Sequence, residues 1–249
     1  MTDLAIPVLA VLQPPAKRFL PIFAAKFFYV KLRNVAIIIA LVIIADQALK
    51  IWIKTTYPFG SLMNVLGLKW FRLHFIENEG MAWGWKFGGE WGKMALTLFR
   101  LAAVVFGTWY LGRIVKQHYH KGFIVCAALI YAGALGNLID SMFYGLIFSS
   151  TDYSTVATMF PKGGGYAGFL HGKVVDMLYF PIIEIPSSAG DRDPFIFFSP
   201  IFNIADASIS TGVITLLVFQ KRFFQKHNPD KNHAVVETNT QVNDETQVL

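Results

Sequence analysis

The sequence predicts an all-α membrane protein: a four-helix transmembrane bundle with an amphipathic or β cradle segment and a long loop, both on its outer side. Three observations carry this. Only 15% of the 249 residues are charged and 54% are hydrophobic, whereas a soluble domain of this size is about 25% charged. The mean hydropathy is +0.46. Four apolar stretches each reach about the 20 residues that a helix needs to cross a bilayer.

The chain divides into an N-terminal segment (1–33), a membrane domain (34–224) and a polar tail (225–249). The start, "MTDLAIPVLAVLQPPAKRF", lacks a basic leader and is interrupted by "QPP", so it makes a poor signal peptide and is too short to span. The spans are expected at about 35–53, 94–115, 123–143 and 201–219. Lipid leaves unpaired backbone groups unsatisfied, so these segments must be helical.

Basic residues set the orientation. Lys26, Lys31 and Arg33 precede the first span, Arg113, Lys116 and Lys121 fill the connection between the second and third, and Lys221, Arg222 and Lys226 follow the fourth. All three groups fall on one side, read as cytoplasmic, which puts both termini there. Lys54, Lys69, Arg72, Lys86 and Lys93 in the first outer connection oppose this bias. That connection, 54–93, carries four Trp and reads as a segment lying along the membrane surface. Residues 144–200 read as a long loop, with "PKGGGYAG" and "SSAGDRDP" as turn signals and "GGG" as a flexible tip. The tail reads as disordered.

Composition excludes several functions. The net charge of +6 flanks the spans, as expected of residues facing anionic lipid, so no nucleic-acid partner is expected. The single Cys126 lies in an apolar run and reads as a packing residue. The six histidines are scattered. His118 and His120 fall in a solvated connection, and His171 has no partner at ligand spacing, so no metal and no cofactor are expected. No Gly-x-Ser-x-Gly or Walker-type loop occurs.

The ionisable residues within or beside the spans carry the functional signal, because such groups are costly in lipid. They are Asp46 and Lys50, Arg100, Asp140, Asp176 and Asp206. Asp46 and Lys50 are four apart and suit a mutually neutralising structural pair. Asn137 with Asp140, and Asn203 with Asp206, each place an amide and a carboxyl three apart on one helix face. Polar glue between helices is the bland reading of both. Gly133 and Gly136 would let a neighbouring helix approach closely. Asp176 and Asp206 are harder to explain as glue. If the outer loop folds back, their carboxyls meet and share one proton, which would supply a base for water and an acid for a leaving group. The competing class is a small transporter or proton relay built on intramembrane carboxylates, although no internal repeat is present.

In order along the chain, "DQALK" (46–50), "NEGMAWG" (78–84), "GALGNLIDS" (133–141), "GKVVDML" (172–178) and "FNIADASI" (202–209) resemble the boxes of the lipoprotein signal peptidases, the type II signal peptidases of bacteria. The resemblance implies a multi-pass inner-membrane aspartic peptidase, working as a monomer, with its active site on the periplasmic side. Its substrates would be lipid-modified prolipoproteins drawn from the surrounding lipid and cut just before the diacylglyceryl-bearing cysteine. It implies Asp176 and Asp206 as the catalytic pair, Asn137, Asp140 and Asn203 as supports, and Asp46 and Lys50 in a supporting role. Asn78 and Gly80 would help to hold substrate. The pattern departs from the family's usual one at Met81 and Trp83, where Ala and Phe are usual. It departs again at Ser141, where Arg usually follows the Asp. Arg100 is the candidate to supply the missing cation. These departures resemble the Bacteroidetes branch of the family.

Overall fold

A computed structural model of the chain describes residues 30–79, 89–181, 183–185, 195–197 and 200–224. Its long helices are α1 (Leu32–Thr56), α2 (Gly89–Lys116), α3 (Lys121–Ile139) and α5 (Ile204–Phe223). Each is long and apolar enough to cross a membrane, with α3 continuing through a π-helical turn (Asp140–Tyr144) into the short α4 (Gly145–Ile147). Large apolar residues such as Ile37, Leu41 and Ile44 on α1, or Ile214, Leu217 and Val218 on α5, face outward. That is the reverse of a soluble bundle and suits helices whose solvent is lipid.

The helix ends follow from local sequence. α1 stops before Pro58, whose ring disfavours a helical residue ahead of it. The turn into α3 places His118 at φ 54°, and the His120 Nδ1 accepts a hydrogen bond from Gly122 N, capping α3. Both histidines are exposed, as a solvated connection predicts, and His120 has this additional structural role.

α3 is central, packing against α1, α2 and α5. The α3–α5 crossing depends on Gly133, where a Cβ would collide with the backbone oxygen of Ala205. At Gly136 a Cβ would sit 3.0 Å from Asp46 Oδ2 and 3.2 Å from Ala205 Cβ. The close approach expected of these two glycines is therefore what brings α5 and α1 together on α3.

The outer segments form a four-stranded antiparallel sheet in the order β1 (Leu62–Asn64), β2 (Arg72–Asn78), β3 (Val174–Tyr179) and β6 (Ile201–Phe202). A second small pair joins β4 (Ile183–Ile185) to β5 (Phe195–Phe197). Residues 144–200 are thus more than a loop. β3 is the sheet's most buried strand because "VVDMLY" lacks the alternation of a half-exposed strand. Gly165 packs against the backbone of Gly145 and Leu146, so "GGG" is a seated turn at its third position and open at Gly163 and Gly164. The fourth span was expected from residue 201, but Ile201 and Phe202 pair with Tyr179 and Leu178 and the helix begins at Ile204. Asn203 stops the strand and caps the helix, which propensity for hydrocarbon alone does not reveal.

Gly133→Ala should therefore lower stability by about 1–3 kcal/mol through overpacking against backbone. Gly112→Ala, where the added methyl meets nothing within 4 Å, should be near neutral. Thermal unfolding of the detergent-solubilised protein measures both.

Candidate active site

The site is built from α1 outward. Lys50 is fully buried. Its ammonium lies 2.8 Å from Asp46 Oδ2 and 2.7 Å from Asp140 Oδ2, and it donates to Asn137 Oδ1 at 3.0 Å. The structural pair expected of Asp46 and Lys50 is present, enlarged by Asp140. Asp46 Oδ1 also accepts from Ala205 N at 2.8 Å, at the N-terminus of α5, where backbone N–H groups and the helix dipole favour an anion. Gln47 donates to Asp140 Oδ1 at 2.8 Å, and its own oxygen accepts from the Tyr144 hydroxyl at 3.1 Å. The backbone N of Val175 in β3 donates to Asp140 Oδ2 at 3.3 Å. Asp140 thus links α1, α3 and the strand that carries Asp176.

Two asparagines form the next layer. Asn137 Nδ2 donates to Asp206 Oδ1 at 2.7 Å. Asn203 Nδ2 lies 2.6 Å from Asp176 Oδ1, 3.1 Å from Asn137 Oδ1 and 3.3 Å from Val175 O. Asn203 and Asp206 also make a reciprocal capping box: Asp206 N donates to Asn203 Oδ1 at 2.8 Å and Asn203 N donates to Asp206 Oδ2 at 3.4 Å. Sequence reasoning placed these two side by side within one helix. The capping geometry instead puts Asn203 just outside α5 and Asp206 in its first turn. Asn78 on β2 donates to Asp176 Oδ2 at 3.3 Å.

Topology explains why the two carboxyls come near one another. β3 and β6 pair through Leu178 and Phe202, and α5 starts one residue after β6. A carboxyl two residues before Leu178 therefore lies beside one in the first turn of α5. Asp176 is 3% exposed. Burial, followed by the negative charge of Asp206, raises its pKa to about 7.

A second buried cluster borders this one. Lys54, counted by sequence as an exposed outer charge, is fully buried and pairs with Glu77, which also lies 3.6 Å from Lys173 Nζ. Its ammonium sits over the rings of Tyr166 and Phe148, 5.1 and 5.4 Å from their centroids. Beside Asp206 a groove of about 770 Å³ runs along α5 past Ala207, Ser210, Thr211 and Ile214, walled by Trp70 and Phe180.

Asp46, Lys50, Asn78, Asn137, Asp140, Asp176, Asn203 and Asp206 are thus brought together. Gly80, with Met81 and Trp83, lies outside the described residues. Arg100 reaches this region, donating from Nη1 to Ser141 Oγ at 3.1 Å. Sequence reasoning missed Gln47, Tyr144 and the Lys54–Glu77 pair. Gln47 carried a usable signal, an amide next to Asp46 in an apolar helix. Tyr144 at a helix end carried none. Among the described residues no group of three or more His, Cys, Asp and Glu is arranged to hold a metal ion.

Residues 38–222 match the family model described as signal peptidase (SPase) II. A lipoprotein signal peptidase of Porphyromonas gingivalis is 45% identical over 195 residues, covering 76% of this chain and 83% of the relative. One from Amoebophilus asiaticus is 31% identical over 211 residues, covering 81% and 83%. A solved bacterial membrane enzyme, determined by the in meso method, shares the fold with a TM-score of 0.51 and 24% identity, over 79% of this chain and 94% of its own.

Two outcomes follow from the site's electrostatics. Lys50→Met leaves Asp46 and Asp140 buried without their cation, and should cost about 3–5 kcal/mol in unfolding experiments. Adding Asp140→Asn should recover part of the loss. For Asp176 the pKa rises from 3.8 unfolded to about 7 folded. Between those values the folded chain keeps a proton that the unfolded chain has released, so stability falls as pH rises through this window. Melting temperatures of Asp176→Asn across pH 4 to 8 should show a shallower decline than wild type.

Proposed function

The chain belongs to the signal peptidase (SPase) II family, and from that premise we propose that it is an aspartic endopeptidase that removes signal peptides from diacylglyceryl-modified prolipoproteins. The observation that carries the catalytic assignment is the Asp176/Asp206 pair, bridged by Asn203 and Asn137, with one carboxyl raised to about 7. The ionised carboxylate, Asp206, takes a proton from water as the water oxygen adds to the peptide carbonyl before the lipidated cysteine. Asp176, the protonated partner, hydrogen-bonds the developing oxyanion and then protonates the leaving amine as the C–N bond breaks. One proton enters the pair and one leaves, so the cycle closes without a metal or cofactor.

Asn137, Asn203 and Asn78 orient the two carboxyls, while Asp46, Lys50 and Asp140 hold the frame on which they sit. The groove beside Asp206 suits a substrate whose acyl chains stay in lipid while its scissile bond reaches the pair. With Arg113, Lys116, Lys221 and Arg222 at the opposite ends of their helices, the termini lie in the cytoplasm and the site faces the periplasm. The protein is then a monomeric enzyme of the bacterial inner membrane, with prolipoproteins and membrane lipids as its partners. An ion-relay role would leave unexplained why one carboxyl is supplied by a β-strand of the outer sheet.

Purified protein incubated with a diacylated prolipoprotein should release the signal peptide. Asp176→Asn and Asp206→Asn should each reduce kcat by roughly 10²–10⁴-fold. Unchanged cleavage in either variant would refute the assignment. Activity should decline as pH rises through about 7, where Asp176 loses the proton that it must donate.

A further inference from the structure

The catalytic scheme above assigns no step to Arg100. It lies in α2 nine residues beyond Trp91, roughly 13 Å along the helix, at a depth where a guanidinium is costly unless it has a task. Its Nη1 donates to Ser141 Oγ at 3.1 Å, and Ser141 Oγ donates to Asn137 O at 3.0 Å. The same Asn137 holds Asp206 through its side chain. The guanidinium lies within electrostatic range of Asp206, Asp140 and Asp176. Asp46 and Lys50 of α1 stand behind Asp140, and Lys54 and Lys173 face Glu77.

A count of charge shows what Arg100 does. The cluster holds four carboxyls, Asp46, Asp140, Asp176 and Asp206, and two cations, Lys50 and Arg100. With one proton on the pair its net charge is −1, and without Arg100 it would be −2. In a poorly screened site the easiest relief is a second proton on the Asp176/Asp206 pair, which would leave no base for water.

We propose that Arg100 is a positioning residue for the cleavage reaction: docked on Ser141, it supplies from α2 the counter-charge that lets the Asp176/Asp206 pair carry one proton and one negative charge. Ser141, a position where this chain departs from the resembling pattern, receives the guanidinium from the facing helix. A lysine there would bring the charge without the planar fork that reaches Ser141. The inference rests on the peptidase reading of the pair.

The test is the pH dependence of kcat with a diacylated prolipoprotein. In Arg100→Gln the acid limb should move up by about one pH unit, a tenfold loss on that limb, with KM little changed. The swap Arg100→Ser/Ser141→Arg returns the guanidinium to the same space from the other helix and should restore the wild-type limb, where Arg100→Ser alone does not. An unmoved limb in folded Arg100→Gln, or a swap no better than Arg100→Ser, overturns the proposal. If these variants fail to fold, adding Asp206→Asn to Arg100→Gln should restore yield by removing the uncompensated charge, and no recovery overturns it. Full cleavage by Asp176→Asn or Asp206→Asn would refute the carboxyl-pair reading itself. Inactive Asn variants beside an unshifted Arg100→Gln would refute only the role of Arg100.

Discussion

An ammonium group cut off from water must be surrounded by acceptors, and Lys50 satisfies that requirement by drawing in groups from several elements. Asp46 comes from its own helix, and Asn137 and Asp140 come from the end of α3. Asp46 in turn accepts from the backbone N of Ala205 at the start of α5, and Asp140 accepts from the backbone N of Val175 in β3. Breaking up this cluster would strand charges in a medium of low polarity, so its members hold each other in register. The helix crossing at Gly133 and Gly136 is the steric counterpart, since any side chain there would push α5 and α1 away from the carboxyls that must reach them.

The frame also explains how a strand and a helix share one candidate site. Asp176 comes from a β-strand and Asp206 from the first turn of α5, elements of different stiffness. Asn203 removes the slack. It ends β6, caps α5 and bonds to Asp176, so strand, cap and helix are tied to one another. Among the described residues no buried side-chain nitrogen or oxygen lacks a partner. A polar network of this size is an asset in an apolar medium only when it is complete.

Much of this was legible in the sequence because a membrane makes polar residues conspicuous. Asp46, Lys50, Asn137, Asp140, Asn203 and Asp206 stand out against hydrocarbon, and their spacings placed them on helix faces. Gly133 and Gly136 announced a close crossing. What the sequence hid was of another kind. The strand at 174–179 lies in a stretch dominated by turn signals, and its buried "VVDMLY" has no alternation to separate it from a short helix. Lys54 looked like an ordinary outer charge because its partner Glu77 lies 23 residues away in sequence, across a hairpin. Tyr144 carried no signal in the sequence, and in the fold it ends the π-helical turn after Ile139 with its hydroxyl donating to Gln47. In each case the missing information is a pairing between distant segments.

The capping box at the head of α5 has one more consequence. Asp206 is tied to the start of a 20-residue helix, about 30 Å long, whose basic residues Lys221 and Arg222 mark its far end. In the proposed reaction the Asp206 carboxyl therefore sits one helix length from that basic end, a spacing set by α5 and independent of the bound substrate. Under that proposal the helix would work as a depth gauge: a bond would be cut when it is presented at that level, so the anchoring depth of a substrate would become part of what is recognised alongside its side chains.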